Sequence, residues 1–219
     1  MVEAVDINQQ LLIPTGRHTL PPQEVRERQR ERLLRAIASC VSEQGYADTT
    51  IADVVRIART SRTAFYEHFS DKESAFLEAY QQMTAAFIKA SLDAAASVTQ
   101  WQAKLEAGIA TYFRWMAEHP EVAITTIVEI HSAGRRGLEA RSRALKQWTR
   151  TLEGVATLAR RDGADLPELD DAVYYAIILT AEMYVHDYAR RGCVEQVEEK
   201  TPHVQGLARS LFQVDAASI

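Results

Sequence analysis

Residues 49–73, T-T-I-A-D-V-V-R-I-A-R-T-S-R-T-A-F-Y-E-H-F-S-D-K-E, constrain this chain more than any other stretch. Ile51, Val54, Val55 and Ala58 fall at helical spacing, with Thr49 or Thr50 placed to cap the start and Asp53 near the third position. A second short helix is expected over 61–69, where Ala64, Phe65 and Phe69 make one apolar stripe and Arg62, Thr63, Tyr66 and His68 lie off it. Two short helices around a tight turn form a helix-turn-helix, whose second helix enters a DNA major groove. The run S-D-K-E at 70–73 reads as a capping box, in which the Ser70 hydroxyl accepts from the amide near Glu73 and a longer helix begins.

Six prolines, nine glycines and no sustained apolar/polar alternation leave helix as the natural state elsewhere, so the expected fold is all-α. Residues 1–23 carry Pro14, Gly16, Pro21 and Pro22 without periodicity and read as an arm in which Arg17 and His18 are either solvated or laid in a minor groove. The head is expected over 24–72: a first helix over 24–44 with Leu33, Ala36, Ile37, Cys40 and Val41 inward and Arg26, Arg28, Arg30, Arg32 and Arg35 outward, then the helix-turn-helix. The body is expected over 73–219, with helices over 73–96, 101–118, 121–131, 138–161, 168–191 and 202–214, broken at His119-Pro120, Gly134, Gly137, Asp162-Gly163 and Gly192.

A net charge of −5 argues against a protein that coats nucleic acid with its whole surface, yet it conceals an asymmetry. Residues 17–72 hold ten Lys+Arg against eight Asp+Glu, whereas residues 73–219 hold fifteen against twenty, which suits DNA contact confined to the head. Cys40 and Cys193 have no metal-ligand spacing, and the acidic N-terminus lacks the regions of a signal peptide. The longest apolar run, 172–185, contains Glu182 and is too short to span a bilayer. A cytoplasmic protein without cofactor, metal or membrane partner is expected, and no G-x-S-x-G, H-E-x-x-H, phosphate loop or dinucleotide fingerprint points to an enzyme.

The motifs G-Y-A-D-T-T-I-A-D-V at 45–54 and S-R-T-A-F-Y-E-H-F-S-D-K-E at 61–73 resemble, in order and spacing, the signature of the TetR family of transcriptional regulators. The resemblance covers about the first 75 residues and implies an all-α homodimer with a three-helix DNA-binding domain and a larger ligand-binding and dimerisation domain. It implies phosphate contacts at Thr50, Tyr66, His68 and Lys72, and a recognition helix led by Ser61, Arg62 and Thr63. Arg62 suits a bidentate pair with a guanine edge, while Thr50 serves equally as an N-cap and Lys72 as a solvated lysine. Where the family has A-G-V-S in the turn, this chain has Ala58-Arg59-Thr60-Ser61; Arg59 brings either strain or an altered turn, and a cation to the DNA-facing end.

In the body, Trp101, Tyr112, Trp115, Met116, Trp148, Tyr175 and Met183 are the candidates for a ligand pocket, each also readable as plain core. His131, Glu182 and His186 are candidate polar groups for it, and the basic run Arg135, Arg136, Arg141, Arg143, Lys146, Arg150 is either a solvated face or a seat for an acidic ligand. Small residues Ala172, Val173, Ala176, Ile177 and Thr180 mark the last helices for dimerisation. The expected function is a ligand-responsive regulator, a dimeric repressor on a palindromic, double-stranded operator released by an apolar or amphipathic inducer. The alternatives are an activator or a helical interaction protein without an inducer.

Overall fold

The computed structural model describes residues 21–213, so the expected minor-groove arm with Arg17 and His18 lies outside the described residues. Those residues form helices joined by turns and short irregular segments, without a strand among them, and divide into two compact units after Tyr80.

The first unit holds α1 (Pro22–Gln44), α2 (Ile51–Ile57), α3 (Arg62–His68) and the start of α4 (Lys72–Ala96). Pro22 opens α1, where a missing amide proton costs nothing, and Gly45 closes it at φ 84, donating to the Val41 carbonyl at 2.9 Å. Leu33, Ile37, Val41, Val54, Phe65 and Phe76 are fully buried together, with Phe69 nearly so. The expectation that all five arginines of α1 face outward is corrected by Arg32, which is 6% exposed and whose guanidinium is made easier to deprotonate by burial.

The capping box that starts α4 lies one residue later than expected. Asp71 is the cap: its Oδ1 accepts from the Ser74 amide at 2.6 Å, and the Ser74 hydroxyl receives the Asp71 amide at 3.2 Å. Ser70 only supports this, through hydroxyl contacts to Asp71 and Ser74.

The second unit holds the rest of α4, α5 (Trp101–Glu118), α6 (Pro120–Ala123), α7 (Gly134–Arg161), α8 (Asp171–Arg190), a 3-10 segment (Val194–Lys200) and α9 (Thr201–Gln213). Its core joins Phe87, Ile109, Phe113, Met116, Ile127, Tyr174, Ile177, Val185, Val204 and Phe212.

The single helix expected over 121–131 is replaced by three short pieces. After α6 the backbone widens into a π-turn at Ile124–Val128 and tightens into a 3-10 turn at Glu129–Ala133. Five consecutive β-branched residues crowd a regular helix there, and the Thr126 hydroxyl draws on the Val122 carbonyl at 2.8 Å. Gly137 lets α7 lie against the 3-10 turn: a Cβ there would meet the Ile130 carbonyl at 2.6 Å.

Candidate functional site

Within the first unit, α3 is built as a presented helix. Ser61 caps it by accepting the Ala64 amide at 3.1 Å. Ala64 and Phe65 are buried beneath it, which leaves Arg62, Thr63, Tyr66 and Glu67 exposed on the opposite face. Tyr66 is 51% exposed and its ring meets Phe65 edge-on, 5.5 Å between centroids, so the phenol is braced while its hydroxyl end remains outside.

The turn before α3 forms a Schellman motif around Arg59. Its φ is 49, the one positive value at a non-glycine residue among the described residues. The Arg59 amide donates to the Arg56 carbonyl at 3.2 Å and the Thr60 amide to the Val55 carbonyl at 3.0 Å, so the carbonyls ending α2 are satisfied by a left-handed residue that is usually glycine. The Arg59 side chain is exposed.

The back of α3 and the turn before it are fastened to α1 by Gln29 and by Arg30, the latter expected to face outward. Gln29 donates to the Thr60 hydroxyl at 3.0 Å and pairs with His68 Nε2 at 3.2 Å. Arg30 reaches the His68 carbonyl at 3.4 Å, pairs with Glu78 and lies 4.8 Å over the Phe69 ring. These contacts set the angle at which α3 is held. The only signal in the sequence is that both residues fall one turn before the buried Leu33 and Leu34, close enough to the core for long side chains to bend across it.

That network takes His68 out of the outward face. It is half-buried, and burial first, then the neighbouring Arg30 and Arg26, holds its imidazole below the usual histidine range, with Glu67 and Glu78 opposing.

Lys72 is likewise turned inward. Its ammonium donates to the carbonyls of Tyr46 at 2.7 Å, Thr49 at 2.8 Å and Ala47 at 3.4 Å and lies 4.3 Å over the Tyr46 ring. Burial lowers its basicity, opposed by Asp48. The Lys72 ammonium is thus held by three backbone carbonyls of the head.

Thr50 is the N-cap of α2: its hydroxyl accepts the Asp53 amide at 3.2 Å and donates to the Asp53 carboxylate at 2.6 Å, which in turn accepts the Thr50 amide at 3.1 Å. Hydrogen bonds from Thr50 hold the Asp53 carboxyl below its ordinary range. The capping role read for Thr50 is thus present.

Within the second unit, a narrow cavity of about 60 Å³ lies inside about 640 Å³ of non-atom space that opens to solvent. Its walls come from α4 (Ile88, Ser91, Leu92, Ala95), α5 (Lys104 to Tyr112), α7 (Trp148 to Val155), α8 (Ile177, Ile178, Ala181) and Val204 of α9. A second recess shares Leu92, Ala95, Lys104 and Val155 with it and runs on past Trp101 to Thr99, Gln100 and Asp162.

Of the expected ligand residues, Tyr112 and Trp148 line the narrow cavity, their rings edge-on at 5.3 Å, and Trp101 lines the second recess. The other four line neither. Met116 is fully buried core, Tyr175 is half-buried, Trp115 stacks near His119 with centroids 4.8 Å apart, and Met183 is 66% exposed.

The polar candidates gather elsewhere. Glu182 pairs with Arg141, and burial raises the Glu182 carboxyl although Arg141 opposes the shift. Burial, then Arg141 and His186, lowers the His131 imidazole. The rest of the basic run, Arg135, Arg136, Arg143, Lys146 and Arg150, is exposed, as a solvated face would be. No group of His, Cys, Asp and Glu suited to a metal occurs among the described residues.

On the outside of α8, Ala172, Ala176, Leu179 and Met183 form an exposed apolar stripe at spacings of four, three and four. Ile177, expected beside them, faces the core instead. No helix among the described residues is long and apolar enough to cross a membrane.

Residues 33–79 match the family described as bacterial regulatory proteins, tetR family. The fold is similar to that of the fatty acid degradation regulator FadR from Bacillus halodurans, with a TM-score of 0.76 at 18% identity over 90% of this chain and 98% of that one. FadR from Bacillus subtilis, solved in complex with stearoyl-CoA, gives 0.73 at 18% identity over 84% and 97%. A TetR-family regulator from Syntrophomonas wolfei gives 0.73 at 12% over 86% and 99%. No curated protein matches the sequence.

Proposed function

We propose that the chain is a transcriptional regulator of the TetR family, a cytoplasmic, dimeric repressor that binds a palindromic operator and is released by a fatty acyl effector. The observation that carries the DNA half is the exposed face of α3, with Arg62, Thr63 and Tyr66 outward while Gln29 and Arg30 fix the helix from behind. Arg62 reads a guanine edge. Thr63 and Ser61 support base and sugar contacts, and Arg59, Tyr66 and the first turn of α2 at Thr50 meet phosphates. His68 and Lys72 act as positioning residues, because their polar atoms are engaged inside the head.

The second copy docks on the α8 stripe, and on a palindrome the two recognition helices read half-sites about one DNA turn, roughly 34 Å, apart. The effector half rests on the apolar cavity together with the stearoyl-CoA held by the B. subtilis FadR. At about 60 Å³ the cavity is far below the about 300–1,000 Å³ of a formed ligand pocket, so an acyl chain enters only by parting its walls. One of those walls is α4, the helix that also carries the Lys72 clamp. Binding that favours the parted state over the DNA-bound one by about 1–3 kcal/mol lowers operator affinity 5- to 150-fold.

Selection of sites from random DNA tests the reading. A palindrome should emerge, and Arg62→Ala should lose preference at one base pair in each half-site, at a cost of about 1–3 kcal/mol. Failure to enrich any site at low salt would overturn it.

A further inference from the structure

The cavity of the second unit has a mainly apolar wall, and among the few polar groups on it is a serine hydroxyl without a partner. Ser91, on the α4 wall, is 9% exposed, and its hydroxyl is completely buried without a hydrogen-bond partner. Two other polar side chains of the wall are engaged: Thr151 donates to the Gln147 carbonyl at 3.0 Å, and the Lys104 ammonium donates to the carbonyls of Val98 at 2.6 Å and Ala95 at 3.3 Å. A buried hydroxyl left unbonded is unfavourable, and a helical serine ordinarily relieves this by bonding back to its own helix. Ser91 does not.

Its position within the cavity is informative. Ala95 and Lys104 stand where the narrow cavity meets the second recess, whose far rim carries Thr99, Gln100 and Asp162. Ser91 lies one helical turn deeper, roughly 6 Å along α4. Beyond it are Ile88, Ile109, Ile177 and Val204. The space thus runs from polar rim, through a cation and the Ser91 hydroxyl, to hydrocarbon.

We infer that Ser91 is the specificity-determining residue of the effector site: its hydroxyl donates to the carbonyl oxygen of a long acyl chain whose head lies at the Lys104 rim and whose tail fills the apolar end. This rests on the acyl reading given above and goes further in assigning a residue and an orientation. Opposite Ser91, Gly108 keeps the space open, since a Cβ there would stand 3.7 Å from the Ser91 carbonyl, an ordinary contact. A larger side chain at 108 is therefore accommodated at its root and projects into the cavity.

The test titrates the full-length protein calorimetrically with hexadecanoyl-CoA, hexadecanoic acid and S-hexadecyl-CoA, the thioether that lacks the carbonyl. Wild type should prefer the acyl ligands over the thioether about tenfold, and Ser91→Ala should erase that preference by weakening the acyl ligands alone. Ser91→Ala should also melt no lower than wild type without ligand, because the hydroxyl it removes has no partner to lose. Gly108→Leu should remain folded and bind none of the three. Whether acid or thioester binds tighter identifies the source of the acyl group, and either result supports the inference. Acyl binding by wild type without preference over the thioether, or a preference that survives Ser91→Ala, would overturn the role of Ser91 and leave the acyl reading standing. Absence of binding by all three to wild type would overturn the acyl reading itself.

Discussion

Arg59 joins backbone strain and DNA charge in one residue, and replacing it with glycine separates the two. At φ 49 a side chain crowds its own backbone, at a cost of about 1–2 kcal/mol for a non-glycine residue. Glycine removes that cost but gives the unfolded chain freedom worth about 0.4–1 kcal/mol. The Schellman bonds from Arg59 to Arg56 and from Thr60 to Val55 are backbone bonds and survive the change. Arg59→Gly should therefore be as stable as wild type or up to about 1.5 kcal/mol more stable in urea denaturation. If the arginine neutralises one phosphate, the same variant loses about 0.9 from the slope of log affinity against log salt. Over a fourfold rise in salt, wild-type affinity should then fall about threefold more than that of the variant. Arg59→Ala is the control, since it discards the cation and keeps the strain; it should share the lower slope without the gain in stability. A glycine variant clearly less stable than wild type would refute the strain argument. An unchanged salt slope in both variants would refute the phosphate contact.

Three further predictions follow from the same geometry. Lys72→Met leaves the carbonyls of Tyr46, Ala47 and Thr49 without their cation and should destabilise the head by about 1–3 kcal/mol in thermal or urea unfolding; unchanged stability with weakened binding to every DNA sequence would make Lys72 a phosphate contact after all. Because the folded His68 imidazole is held below the usual value of about 6.5, its contribution to stability is complete above that pH and lost as pH falls from there toward the depressed folded value. His68→Gln should flatten this acid limb, and an unaltered pH profile would remove His68 as its cause. Met183→Glu places a charge in the exposed α8 stripe and should shift the protein toward monomer in sedimentation, whereas an unaffected dimer would exclude that face as the interface.

What the sequence disclosed and what it withheld separate along physical lines. The helix-turn-helix was legible because its instructions are local: Thr50 and Asp53 cap α2, Ser61 caps α3, and Ala64, Phe65 and Phe69 repeat at helical spacing, all within a few residues of one another. Even the unusual turn could be read, since a left-handed position occupied by Arg59 is strained wherever the chain goes next. The break at 124–133 was not legible, because apolar periodicity does not distinguish a regular helix from one widened by five β-branched residues and then tightened against Gly137. Arg30 was placed outward, and Gln29 passed over, for another reason: their partners Thr60, His68 and Glu78 lie 31 to 48 residues away, and only the packed head brings them together.

The cavity carries the same limit further. Tyr112 and Met116 lie four residues apart on α5, yet one lines the cavity and the other is sealed in the core, while Trp115 between them turns to His119. Residue type could mark the body's aromatic residues as candidates, but the rotation of each helix and the position of each residue along it decided among them, and both are fixed by every other helix at once. Ser91 escaped notice because a lone serine in a helix is unremarked in sequence; it becomes informative only when the fold buries it beside hydrocarbon and offers its hydroxyl nothing to bond. An effector site of this kind is recorded in a missing contact as well as in those that are made.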